Sequence, residues 1–337
     1  QLKKTVMPSG GNYTSLEACM NGNEQNLVTA DKYFDVEIDG DWSGGSDTTG
    51  VTVHNYTTNA THYINIYTTA AARHKGVASS LYYCIDPPDN TDGFGAGGQG
   101  YVYVYGLQVT GISNFWTSGI SVGGYMQFQG NCTVAYCLVY ATDVEPRDGT
   151  GIGVGGTYES NVHIYNNIVY GFDLGVSIGL LAVGADGTTT YIYNNTAYGS
   201  TTGIYISGNG SGGVIKNNIS NGNTTDYSFQ STPAASADNI SEDTTSPNNE
   251  WDSIAIIFAD ETNKNFHLGA SDTSGAKGGG TVDPDSGLFS DDIDGDIRST
   301  AWDIGADEYV AAAGAAIPQT LNFNGTGKLN GTFVFGQ

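Results

Sequence analysis

The stretch Val162-His-Ile-Tyr-Asn-Asn-Ile-Val-Tyr-Gly171 is followed by Tyr191-Ile-Tyr-Asn-Asn-Thr-Ala-Tyr-Gly199 and then by Val214-Ile-Lys-Asn-Asn-Ile-Ser-Asn-Gly222. Weaker copies precede them at Tyr105-Gly-Leu-Gln-Val-Thr-Gly111 and Val134-Ala-Tyr-Cys-Leu-Val-Tyr140. With the residue after the turn as anchor, Leu107, Leu138, Ile168, Thr196 and Ile219 follow one another at 31, 30, 28 and 23 residues. A second series runs beside the first: Gly119-Ile-Ser-Val122, Gly151-Ile-Gly-Val154, Gly175-Val-Ser-Ile178, Gly203-Ile-Tyr-Ile206 and Asp226-Tyr-Ser-Phe229. Apolar residues two apart in a strand point the same way. Two series with similar but unequal steps describe one coil per repeat, with loops of variable length. Such a coil buries its inner face only against its neighbours. The pattern predicts an all-β, single-stranded right-handed parallel β-helix.

In that stack, like residues lie above like. Asn167, Asn195 and Asn218 fall at a bend, where Asn tolerates the left-handed region and its amide can bond the next coil. They are expected to form a structural ladder. Tyr140, Tyr170 and Tyr198 also align, and two readings stand: a stack of packed rings, or a platform facing a glycan.

The composition agrees. The 337 residues include 49 Gly, 22 Tyr, 8 Pro and 3 Met, a mixture poor in helix formers. Asp and Glu number 35 against 11 Lys and Arg, a net charge of −24. That balance excludes nucleic acid as a partner, because phosphate binding relies on Lys and Arg. No apolar run approaches the ~20 residues that span a bilayer, so membrane insertion is not expected. Cys19, Cys84, Cys132 and Cys137 lack zinc-site spacing. Cys137 fills a repeat position held elsewhere by Asn, which favours a small buried thiol over a disulfide. A start at Gln1 rather than Met is compatible with a removed leader.

Residues 1–30 read as an N-terminal segment, in which Thr14-Ser-Leu-Glu17 is a capping-box pattern opening a short helix over 14–21 that plugs the first coil. Strands follow at Tyr33–Ile38, Val51–Tyr56 and His62–Tyr67, and the β-helix occupies 31–310. Beyond it, 311–337 reads as a linker and a β tail carrying Leu321-Asn-Phe323 and Thr332-Phe-Val-Phe335, a device for oligomerisation or a strand folded back on the rod.

The repeat resembles the pectin-lyase-like superfamily of parallel β-helices. Near the C-terminus, Asn265-Phe-His-Leu268, Asp291-Asp-Ile-Asp-Gly-Asp-Ile-Arg298 and Trp302-Asp-Ile-Gly-Ala-Asp-Glu-Tyr309 are similar to the closing segment of secreted and phage-borne β-helix proteins. That resemblance implies a cap over about 265–309 and no catalysis there. The opening, from Met7 to Gly76, resembles tail-associated proteins of environmental bacteriophages. Lyases on this fold use calcium-binding carboxylates with a Lys or Arg base, and hydrolases use clustered Asp.

Weighed against that chemistry, Arg147 with Asp143, Glu145 and Asp148 is the compact candidate, joined by Asp173 from a neighbouring coil; a solvated charged loop is the plainer reading. The five histidines form no metal pattern in sequence. Asp292, Asp294 and Asp296 alternate beside Gly295, a set suited to calcium. The alternative is a turn whose Asp residues hold backbone amides and Arg298. No other cofactor is expected. The leading functional expectation is a non-enzymatic rod, extracellular, on the cell surface or on a virion. It would self-associate into an oligomer or filament and contact cell-surface glycans. The alternative is a polysaccharide lyase or depolymerase acting in a groove near Arg147.

Overall fold

An Asn-Asn pair at a bend offers two things: a residue that accepts positive φ and a buried amide to spend on the next coil. In the computed structural model these duties fall on different members of the pair. Gly106, Tyr136, Asn166, Asn194, Asn217 and Asp238 form a column with φ between +50° and +76°. The left-handed residue is therefore the first Asn, one position earlier than the sequence pattern suggested. The second Asn makes the ladder. Asn167 Nδ2 donates to Asn195 Oδ1 at 2.9 Å, Asn195 Nδ2 to Asn218 Oδ1 at 3.0 Å, and Asn218 Nδ2 to Asn239 Oδ1 at 2.9 Å. Each Oδ1 also accepts the backbone N–H of the Asn before it, and Asn167 Oδ1 takes that of Cys137. Asn239, which the repeat pattern did not single out, ends the column on Glu250, whose Oε2 accepts both its N–H and its amide at 3.2 Å.

The structure describes residues 1–110, 117–123, 130–141, 149–154, 161–173, 178–183, 189–207, 213–230 and 232–311. Their strands form three all-parallel sheets of nine, seven and seven strands, apart from one antiparallel hairpin. The nine-stranded sheet runs in chain order from Leu2–Val6, through Phe34–Ile38 and Ile64–Thr68, to Ala235–Ala237. The coils between Ile64 and Phe229 each contribute one strand per face, and the chain winds right-handed. Val36, Ile66, Val104, Val134, Ile164, Ile192 and Ile215 lie in register on that face and are fully buried. Burying each such side chain contributes about 2 kcal/mol, so the column drives the stacking.

Register corrects two details of the sequence reading. Leu138, Ile168, Thr196 and Ile219 pair as expected, but their partner in the earlier coil is Gln108, not Leu107. In the second series the residue in line with Ile120, Ile152, Ile204 and Tyr227 is Leu180, within Ile178–Val183. Gly179 thus takes the place expected of Gly175, which lies outside the described residues. The physical reason is contact at the Gly column: a Cβ on Gly151 would sit 2.3 Å from Val169 Cγ1 and 2.6 Å from the Gly179 carbonyl oxygen.

The first coil is covered by the helix Leu16–Asn21, with Leu16, Cys19 and Met20 buried. Its N-cap is Ser15 rather than Thr14: Ser15 Oγ accepts Ala18 N–H at 3.2 Å. Glu17 is drawn instead to the backbone N–H of Thr52 at 2.7 Å, which the capping-box pattern could not foresee. All four cysteines are free and buried, and burial pushes the thiols of Cys19 and Cys137 up to about 12, so they act as apolar filler.

Asn195→Leu would orphan the backbone and side-chain N–H groups of Asn167, and at 1–3 kcal/mol per lost partner it should destabilise by about 3–5 kcal/mol. Urea titration followed by circular dichroism reads this; a change within about 1 kcal/mol would refute the ladder's role. Gly151→Ala should cost about 2 kcal/mol by the same measurement, from overpacking against Val169 and the Gly179 carbonyl.

Candidate functional site

The outer Asn column organises the flank of the rod. Asn166, Asn194 and Asn217 turn their amides outward, toward chain that returns along the side. Asn166 Nδ2 donates to the Asp291 carbonyl at 2.8 Å and Asn194 Nδ2 to those of Asp303 and Gly305 at 3.0 and 3.1 Å. Asn217 exchanges bonds with Thr281 in both directions, each 2.8 Å. Farther toward the N-terminal end, Arg73 Nη2 donates to the Ile293 carbonyl at 2.9 Å. The segment expected to cap the last coils over 265–309 is thus a lateral strap crossing several of them. Unpaired carbonyls in the strap and outward amides on the bends explain the placement.

Arg298 locks the strap. Its side chain is fully buried, and its Nη2 donates to Asn166 Oδ1 at 2.8 Å and to the carbonyls of Gly305 and Ala306 at 3.1 and 3.2 Å. Nη1 lies 3.5 Å from Glu308 Oε2. Burial lowers the guanidinium pKa, and the carboxylates of Asp292 and Glu308 oppose that fall.

The loop carrying Asp143, Glu145, Arg147 and Asp148 lies outside the described residues, as do Leu321-Asn-Phe323 and Thr332-Phe-Val-Phe335. Asp173 is exposed just beyond Ile168–Tyr170. Tyr140 and Tyr170 stack at 5.2 Å and 11°. The hairpin Phe258–Asp260 and Asn265–Leu268 lies against this row: Phe266 meets Tyr170 at 4.9 Å and Tyr198 at 4.4 Å. Tyr170 keeps 3% of its surface exposed, so the row packs beneath the hairpin.

The expected calcium triplet divides. Asp292 Oδ1 accepts the N–H of Asp294 and of Asp296, and its Oδ2 accepts that of Glu308 at 2.9 Å. Its oxygens are spent on the turn, and Asp296 stays exposed. Asp294 joins a different set. His267, Asp294 and Asp307 bring one ligand atom each within 4.8 Å of one another, the group of three that does so among the described residues. The sequence hid it because the three come from separate segments. His267 Nε2 and Asp294 Oδ2 are 3.2 Å apart, an ion pair when the ring is protonated. Burial works against the imidazolium, and the carboxylates of Asp294 and Asp307 outweigh it, so His267 titrates above its ordinary value. Burial pushes Asp307 up to about 6.

A hollow of about 640 Å³ opens on the strap, lined by Tyr136, Leu288, Phe289, Ile297 and Trp302 among others. Val282, Leu288 and Ile297 stand exposed at it, Ile297 to 74%. Among the described residues no helix is long and apolar enough to cross a membrane.

No protein-family model and no curated protein matches the chain. Among solved structures it is similar to pectate lyase Pel9A, at 12% identity and a TM-score of 0.34, over 91% of this chain and 96% of that one. At that distance the likeness carries no argument, and the strand register alone assigns the fold: the chain is a right-handed parallel β-helix.

Arg298→Lys keeps the charge but loses the planar fork that reaches Asn166 and two carbonyls. It should destabilise by about 3 kcal/mol and open the strap to proteolysis before the β-helix. Cleavage kinetics identical to wild type would show that Arg298 does not hold the strap.

Proposed function

We propose that this protein is a structural, adhesive rod of the cell exterior or a virion surface, which associates with further copies of itself through its strap-bearing flank. The observation carrying this reading is the set of exposed apolar side chains Val282, Leu288 and Ile297, which stand at a hollow lined by Phe289 and Trp302 together with Asp283, Ser290 and Asp291. On a chain of net charge −24, like copies repel over most of their surface, and contact is favoured where apolar area can be removed from water. The stack of coils supports the same reading, since a rigid cylinder holds that patch at a fixed place along its length. The segment beyond residue 311, with its alternating apolar residues, is a second element for assembly.

Sedimentation velocity at micromolar concentration should show oligomers whose share grows from low to physiological salt, as the Debye length falls to about 8 Å and repulsion is screened. Ile297→Asp should return the chain to monomer. Monomers at every salt concentration would overturn the proposal.

The second reading is a polysaccharide lyase or depolymerase. Asp173 supports it: the residue stands exposed after the strand that pairs with Leu138–Tyr140, and the loop bearing Arg147 follows the latter. A panel of acidic and neutral glycans, assayed for new reducing ends and unsaturated uronate, distinguishes the two. Turnover abolished by Arg147→Ala would establish the enzyme; binding on a glycan array without turnover would identify the adhesin's ligand.

A further inference from the structure

We propose that His267 Nε2, Asp294 and Asp307 bind one divalent transition-metal ion of the zinc type, which fastens the strap to the hairpin. The three residues sit on the strand Asn265–Leu268, the turn after Asp292 and the closing stretch 302–309. No two are close in sequence, so a shared ion would cross-link segments otherwise joined by hydrogen bonds.

Asn265 fixes the tautomer of His267. Its Oδ1 accepts the backbone N–H of His267 at 3.2 Å, which identifies that atom as the oxygen, and it lies 2.5 Å from His267 Nδ1. Nδ1 must therefore carry a proton, and in the neutral ring Nε2 carries the lone pair. That lone pair faces Asp294 Oδ2 at 3.2 Å. Two electron-rich atoms at that separation need positive charge between them, either a proton or a metal ion. A proton on Nε2 would make an ion pair with Asp294 and leave Oδ1 of Asp294 buried without a partner; a metal ion would engage His267 Nε2, Asp294 and Asp307 together. A tetrahedral ion with bonds of about 2.0–2.1 Å places its ligands about 3.3 Å apart, close to the separation of His267 Nε2 and Asp294 Oδ2, and Asp307 brings an oxygen within 4.8 Å of both residues' ligand atoms.

The surroundings fit a metal shell. Asp307 Oδ2 is oriented by the Leu268 N–H at 2.7 Å, as Nδ1 is by Asn265, the outer contacts that fix ligating groups. Gly76 closes one side: a Cβ there would lie 2.4 Å from His267 Nε2, so only glycine lets the backbone approach. One imidazole and two carboxylates suit zinc or its first-row neighbours; calcium and magnesium take oxygen ligands in larger number or strict octahedra. Water would complete the coordination.

The test uses the full chain, stripped with chelator and titrated with Zn²⁺ by calorimetry. The expected result is one ion per chain at micromolar affinity or tighter, with a raised Tm. With 35 carboxylates in the chain, weak surface binding is the background to exclude. His267→Gln and Asp307→Asn should each weaken the single site roughly tenfold or more, while Asp296→Asn leaves it unchanged. Unaltered affinity in His267→Gln, or no stoichiometric binding by wild type, overturns the proposal. Should the variants fail to fold, long-range ¹H–¹⁵N spectra of the wild-type histidines decide: Nε2 of His267 must shift on adding Zn²⁺, and an unmoved resonance refutes the site.

Discussion

Everything in this molecule depends on one constraint: amides buried at a bend must meet the bend of the next coil. The column Asn167, Asn195, Asn218 and Asn239 satisfies it by passing each carbonyl oxygen to the backbone N–H and side-chain N–H of the Asn before it. A slip of one residue would orphan several donors at once, at about 1–3 kcal/mol each. Register is thereby fixed at one corner, and the buried apolar columns of the sheets reinforce it, since a one-residue slip would turn them outward. Differences in coil length are expelled into loops. The column ends on Cys137 N–H in one direction and on Glu250 in the other, which holds it to a finite length.

The residue beside each ladder Asn solves a second problem. Positive φ at Asn166, Asn194 and Asn217 turns the chain, and their side chains point out of the cylinder. An outward row of amides is a template for chain that lacks a sheet of its own. The strap uses it, bringing a charged group that would be costly alone: the buried Arg298 guanidinium is surrounded by carbonyls and by Asn166. The bend thus has an inner column that holds the rod and an outer column that holds the strap.

The rod's ends are treated differently from its flank. Asn12 Oδ1 accepts the Thr5 N–H and its own N–H donates to the Thr5 carbonyl, covering part of the outer edge of Leu2–Val6. At the other end Glu250 takes Ser236 Oγ at 2.7 Å beside Ala235–Ala237. Covered edges discourage end-to-end strand pairing. Exposed apolar side chains stand on the strap, at Val282, Leu288 and Ile297.

The parallel β-helix, the ladder at Asn167, Asn195 and Asn218, and the row of tyrosines are legible in the sequence. Stacked coils repeat their chemistry at nearly constant spacing, and a repeat is visible without coordinates. The sequence also shows that Arg298 and the Asp-rich turn belong to one segment. Packing between coils settles which Asn of a pair bends, that Gly179 enters the Gly column, and that 265–309 lies along the flank. Those outcomes turn on contacts between residues up to 220 positions apart, such as Arg73 with Ile293. The meeting of His267, Asp294 and Asp307 is of the same kind. Three side chains from segments with no common period leave no pattern to read, and it takes the docking of the strap on the hairpin to bring them together.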